Sequence, residues 1–149
     1  MGLYRFETRT AASPERAYDL WTNLDRMKEW VGGVTKVTDV SGPVAEAGTT
    51  YTVWFGGMKS RTTVLEAARP RVFRSRFGNL ILKGENVATF EPDGTGTIIR
   101  QEMQTRGLIS AIFGRLFASG SYRGSFQGEL EAFARLAEQE DHPSTGANG

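Results

Sequence analysis

Between Gly32 and Gly107 the chain is a succession of short segments, most of them alternating between apolar and polar residues and separated by tight-turn residues. The segments are residues 34–40, 49–55, 61–68, 72–77, 84–90 and 97–106. The breakers are Ser41-Gly42-Pro43, Gly56-Gly57, Arg69-Pro70, Gly78-Asn79 and Pro92-Asp93-Gly94-Thr95-Gly96. A period of two is that of a strand with one buried face, and Gly, Pro, Asn and Asp interrupt such strands where the chain must turn. Connections this short favour antiparallel pairing of sequence neighbours. Residues 3–10 add one more strand ahead of these, with Tyr4, Phe6, Thr8 and Thr10 on one face and Arg5, Glu7 and Arg9 on the other. A sheet of six or seven such strands has one apolar face, which needs a cover.

Residues 107–138 can supply it, because they contain no proline. At about 100° per residue, Ile109, Ile112, Phe113, Leu116 and Phe117 fall on one helical stripe, and Tyr122, Phe126, Leu130, Phe133 and Ala137 on another. The stripes are out of phase by roughly a quarter turn, which predicts a bend or break at residues 118–121. Gly120, Gly124 and Gly128 lie four apart on the side away from Phe126, Leu130 and Phe133, with Gly114 upstream. A glycine inside a helix costs about 0.8–1 kcal/mol relative to alanine. The row therefore reads as a place of close approach or free space, or else as a loop with the helix starting after Gly124.

After the first strand, Ser13-Pro14 offers an N-cap and a proline at the first helical position, with Glu15 in the first turn. Ala17, Tyr18, Leu20, Trp21 and Leu24 form the apolar stripe of that helix. Asp25 is then placed to cap a second short helix through Met27 to Trp30. The order is strand, two helices, six strands and one long helix, an α+β arrangement without internal repeats.

At 149 residues the chain is long enough for one domain with a sizeable core. Residues 1–139 read as that domain, and residues 140–149, polar and Gly/Pro-containing, as a disordered tail. The 18 basic and 17 acidic residues balance, so there is no net field to attract nucleic acid. The run Arg69, Arg71, Arg74 and Arg76 reads as the solvated face of a strand. Cysteine is absent, which removes disulfides and thiolate metal sites. No apolar run reaches the about 18 residues of a membrane span and no signal-peptide pattern opens the chain, so a cytoplasmic location without stable membrane insertion is expected.

The segment Phe6-Glu7-Thr8-Arg9-Thr10, then Ala12-Ser13-Pro14-Glu15-Arg16-Ala17-Tyr18-Asp19-Leu20-Trp21-Thr22-Asn23-Leu24, then Trp30, resembles the opening of the START-like superfamily, also called SRPBCC or Bet v 1-like. Gly94-Thr95-Gly96-Thr97 resembles the hairpin before the last strand in that superfamily, and residues 126–136 its closing amphipathic helix. The resemblance spans residues 3–138, and the polyketide cyclase/dehydrase-like group is the most similar. It implies a helix-grip fold: a curved seven-stranded antiparallel sheet wrapped around a long C-terminal helix, with two short helices after strand 1 and an apolar cavity. Members include aromatase/cyclases, carriers of hydrophobic ligands and an Hsp90-cochaperone-like group, so the resemblance does not select one activity.

The chemistry-bearing residues narrow the choice. His142, the sole histidine, lies in the expected tail, which disfavours a Ser-His-Asp triad and a histidine metal site. No P-loop, Gly-x-Ser-x-Gly or complete dinucleotide fingerprint occurs, and no cofactor or metal is expected. Glu66, Glu85, Glu102 and Tyr51 fall on strands. Glu102 is expected outside, in an ion pair, whereas Glu66 and Glu85 could project inward, and Tyr51 is the one weak catalytic candidate. Strand faces such as Phe73/Ser75/Phe77 and Thr97/Ile99/Gln101/Met103 mix apolar with small polar residues, as a cavity wall does, or as a face turned to solvent does.

The leading expectation is binding of a small hydrophobic, aromatic or polyketide-like molecule between sheet and long helix. Its wall would be Trp30, Tyr51, Phe73, Phe77, Ile99, Met103, Phe113, Phe117 and Tyr122. The first alternative is a polyketide cyclase/dehydratase-type enzyme. The second is a protein- or membrane-interaction module docking through residues 108–117. A monomer and a homodimer through the Gly120/Gly124/Gly128 row are both compatible with the sequence.

Overall fold

The structure, a computed structural model, describes residues 2–80, 83–106 and 121–140, and the side chains of the last span over 126–139. β1 (Gly2–Thr10) leads into α1 (Pro14–Trp21) and a 3-10 helix, η1 (Leu24–Glu29). β2 (Val34–Thr38), β3 (Thr50–Phe55), β4 (Met58–Ala68), β5 (Val72–Gly78), β6 (Lys83–Asp93) and β7 (Gly96–Arg106) follow, and α2 (Ser121–Glu140) closes the described chain.

Local rules account for the boundaries. Ser13 accepts the backbone N–H of Arg16 at 3.2 Å and Pro14 opens α1, satisfying a donor that would otherwise be orphaned at the helix start. Gly56, at φ +65°, turns the β3–β4 hairpin in a conformation few other residues adopt. The second short helix departs from expectation. Asn23, not Asp25, sits at its N-cap without a side-chain cap bond, and the segment winds as a 3-10 helix, so Asp25 lies inside the first turn. β2 stops at Thr38 because Asp39 turns into positive φ.

All strand pairs are antiparallel, in the order β1-β7-β6-β5-β4-β3-β2. Because side chains alternate, the register assembles rows on the concave face. One row runs Tyr51, Thr62, Phe77, Gly84, Thr105, and the next Val64, Ser75, Asn86, Met103, Tyr4. Beyond them lie Ala88, Gln101, Phe6 and then Phe90, Ile99, Thr8. Gly84 occupies its place because any side chain there would meet the Gln104 carbonyl and the Phe77 ring.

α2 grips both ends of the strand order. Gln127 Nε2 donates to the Glu7 carbonyl of β1 at 2.9 Å, and Glu129 accepts the Gly32 N–H ahead of β2 at 3.0 Å. Thr10 Oγ1 donates to the Ala134 carbonyl at 2.8 Å, and the Ala11 N–H donates to Glu138 Oε2 at 2.9 Å. Leu130, Phe133, Ala134 and Ala137 are buried, while Gly128 faces open space. The helix is continuous through Gly124, which removes the reading that it starts only after that residue.

The convex face carries the charges. Glu102 pairs with Arg5 at 2.8 Å, as its strand face predicts. Glu66 and Glu85 are corrected: neither points inward, Glu66 lying 3.1 Å from Arg74 and Glu85 4.0 Å from Arg76. The bulge between Val64 and Glu66 shifts the β4 phase by one residue, which simple alternation does not reveal. The expected bend at 118–121, the docking segment 108–117 and residues 141–149 of the expected tail lie outside the described residues, apart from the backbone of Ser121. No helix of the described residues is long and apolar enough to cross a membrane.

Candidate ligand site on the concave face

The concave face is sealed at one end and half-open in its middle. At the sealed end Phe90, Ile99, Leu130 and Phe133 are almost fully buried. α1 and η1 stack aromatic rings over them: Trp21 and Phe133 centroids lie 5.0 Å apart, Trp21 and Trp30 4.7 Å, Trp30 and Phe133 4.8 Å, and Tyr18 and Phe90 5.6 Å. Tilted and edge-on pairs of this kind add to the area term of burial.

On the central strands the inward residues Phe77, Asn86, Gln101 and Met103 are only half-buried. They are neighbours: Met103 lies opposite Asn86, Phe77 opposite Gly84, and Gln101 Nε2 donates to Asn86 Oδ1 at 3.1 Å. Two apolar side chains thus flank an amide pair with donor and acceptor capacity to spare. Ser75, opposite Asn86, and Thr62, opposite Phe77, extend the polar line toward Tyr51.

Tyr51 is buried on β3, and burial alone pushes its phenol up to about 12. Its hydroxyl has no hydrogen-bond partner among the described residues. A phenol so shifted stays protonated at neutral pH and acts as a donor or general acid, not as a base. Two further donors, the Tyr18 hydroxyl and Trp30 Nε1, are buried without an acceptor among the described residues. Burial also raises the Tyr18 phenol, helped by the charge of Asp19 and opposed by Arg69. Glu129 is pushed up by burial and held back in part by the Gly32 N–H.

Five of the expected wall residues, Tyr51, Phe73, Phe77, Ile99 and Met103, share the concave face. Among these, Phe73 and Ile99 belong to the sealed end and Phe77 and Met103 to the half-open middle. Trp30 stands in the aromatic cluster. Tyr122 lies on α2, but its side chain is outside the described residues, as are Phe113 and Phe117 altogether. Sequence reasoning singled out neither Asn86 nor Glu129. The signal for Asn86 was its place two residues from Ala88 on one strand face, and for Glu129 there was none, since Gly32 is 97 residues away.

The sequence signature of the polyketide cyclase / dehydrase and lipid transport family matches residues 4–138. None of the curated proteins compared matches the sequence. Among solved structures, a protein of Mesorhizobium loti superposes with TM-score 0.74 at 15% identity, covering 93% of this chain and 98% of that one. The di-domain ARO/CYC protein StfQ of the steffimycin biosynthetic pathway gives 0.69 at 13% identity over 93% of this chain and 52% of its own. A point mutant of Thalictrum norcoclaurine synthase, in complex with a transition-state analogue, gives 0.68 at 11%, covering 94% and 96%. These likenesses establish the fold. With seven antiparallel strands held by a C-terminal helix, and the family signature over nearly its whole length, the chain belongs to the polyketide cyclase / dehydrase and lipid transport family of helix-grip, Bet v 1-like proteins.

Proposed function

We propose that this chain is a cytoplasmic, single-domain binder of a small hydrophobic molecule, aromatic or polyketide-like, held between the central strands and the C-terminal helix. The observation that carries this reading is the half-burial of Phe77, Asn86, Gln101 and Met103, inward residues of central strands flanked by sealed core. A filled core would bury them, and apolar surface of this kind gains about 25 cal/mol per Å² on being covered. The unpartnered Tyr51 donor, in the row of Thr62 and Phe77, suits a ligand with an acceptor oxygen. The test is titration with 1-anilinonaphthalene-8-sulfonate of the wild type and of Phe77→Arg and Met103→Arg. Affinity is expected to fall at least about tenfold in both variants, about 1.4 kcal/mol, with circular dichroism unchanged. Unchanged affinity in two folded variants would refute the site.

Tyr51 favours a second reading, a cyclase/dehydratase-type enzyme of the same site. Its neutral buried phenol could donate a proton or hydrogen bond to a substrate carbonyl, while the walls orient a reactive chain.

A further inference from the structure

The convex face is electrically unequal. Over β1, β4, β5, β6 and β7 arginines meet carboxylates: Arg9 with Asp93 at 2.9 Å, Arg74 with Glu66 at 3.1 Å, and Arg100 with both Glu7 at 3.0 Å and Glu91 at 2.7 Å. β2 and β3 contain no acidic residue. There Lys36, Trp54 and Lys59 are direct cross-strand neighbours, and the two ammoniums stand 4.8 and 5.3 Å from the indole centroid. Trp54 Nε1 donates to Thr38 Oγ1 at 2.8 Å, which orients the ring. In the next row the Arg61 guanidinium is held by the neutral hydroxyls of Thr52 at 3.1 Å and Thr50 at 2.8 Å. Among the described residues none of Lys36, Lys59 and Arg61 has a carboxylate partner. The acids nearby are Asp39, which accepts the Thr38 hydroxyl at 2.9 Å, and Asp25.

One apolar feature adjoins this cation cluster. A surface notch of about 200 Å³ lies between η1 and β2, lined by Leu24, Val34 and Val37 together with Asp25, Lys28 and Lys36. An indole flanked by lysines suits the headgroup layer of a bilayer, where the ring finds a mixed apolar and polar medium and the ammoniums reach phosphates. Base stacking fits less well, because ammoniums already occupy the ring that a nucleobase would need.

We propose that the β2–β3–β4 corner is a peripheral docking surface for an anionic lipid bilayer, with Trp54 at headgroup level and Lys36, Lys59 and Arg61 on the phosphates. The contact is electrostatic and reversible, so it weakens as salt rises.

The experiment is co-sedimentation of the full chain with phosphatidylcholine vesicles containing phosphatidylglycerol, with phosphatidylcholine alone, and with Lys36→Glu/Lys59→Glu as the variant. The expected result is binding to the anionic vesicles only, reduced by high salt and weakened at least about tenfold by the double reversal. Tryptophan emission should shift to the blue on binding, and Trp54→Phe should lose that shift. Both lysines are exposed, so the fold is expected to survive; if the reversal misfolds, Lys36→Gln/Lys59→Gln takes its place and should weaken binding in the same direction. No binding, equal binding to neutral vesicles, or binding indifferent to both double variants would overturn the proposal, as would retention of polyuridylate where vesicles are ignored.

Discussion

Tyr51 shows how one side chain can report on its whole surroundings. The neutral phenol is favoured by the fold, since its value is raised from about 10 to about 12. That contribution is fully present below pH 10 and is lost as pH rises from about 10 to 12; at 1.36 kcal/mol per unit it amounts to roughly 2–3 kcal/mol. We therefore expect urea denaturation midpoints to fall more steeply over that window in the wild type than in Tyr51→Phe. Identical pH dependence of the two proteins would show that the phenol is not desolvated. In the enzymatic reading the same variant loses turnover at neutral pH while still binding ligand, and undiminished turnover would dismiss Tyr51 as the acid. The position of Tyr51 on an inward strand face was readable from Tyr51, Val53 and Phe55. Its lack of a partner was not, because that depends on what the neighbouring strands place around it.

At the scale of elements, α2 combines a demanding face with a permissive one. Leu130, Phe133 and Ala137 are buried, whereas a Cβ on Gly128 would meet nothing within 4 Å. Gly128→Ala is accordingly expected to raise stability by about 0.8–1 kcal/mol, read as a higher thermal midpoint with ligand-free protein. A decrease would mean that Gly128 meets a second molecule or a bound group in solution. The elements themselves were largely legible: Ser13-Pro14 starts α1, and the turn residues separate β3 through β7. The strand ends were less so. β6 runs to Asp93, well past Phe90, because Glu91, Pro92 and Asp93 pair with Ile98, Thr97 and Gly96 across the hairpin. Pairing can carry a strand through residues of poor intrinsic preference. η1, expected as a second short helix, winds as a 3-10 helix between α1 and β2.

At the scale of the whole molecule, Phe133 joins three parts of the chain. It is 0% exposed and meets Trp21 of α1 and Trp30 just after η1, while α2 itself is bonded to β1. Phe133→Ala should cost about 3–5 kcal/mol, measured by chemical denaturation followed through tryptophan fluorescence. A loss below about 1 kcal/mol would mean that the cluster collapses onto the void and is not the joint between sheet and helix. The sequence by itself determined the order of elements, the apolar stripe of α2 and the family, because periodicity, caps and turns are set by residues a few positions apart. Only the tertiary structure decided that Glu66 and Glu85 face outward, that Asn86 meets Gln101, that Glu129 holds Gly32, and that Trp54 stands between two lysines. Those contacts join residues far apart in the chain, and which ones meet depends on strand register and on a bulge that shifts it by one residue.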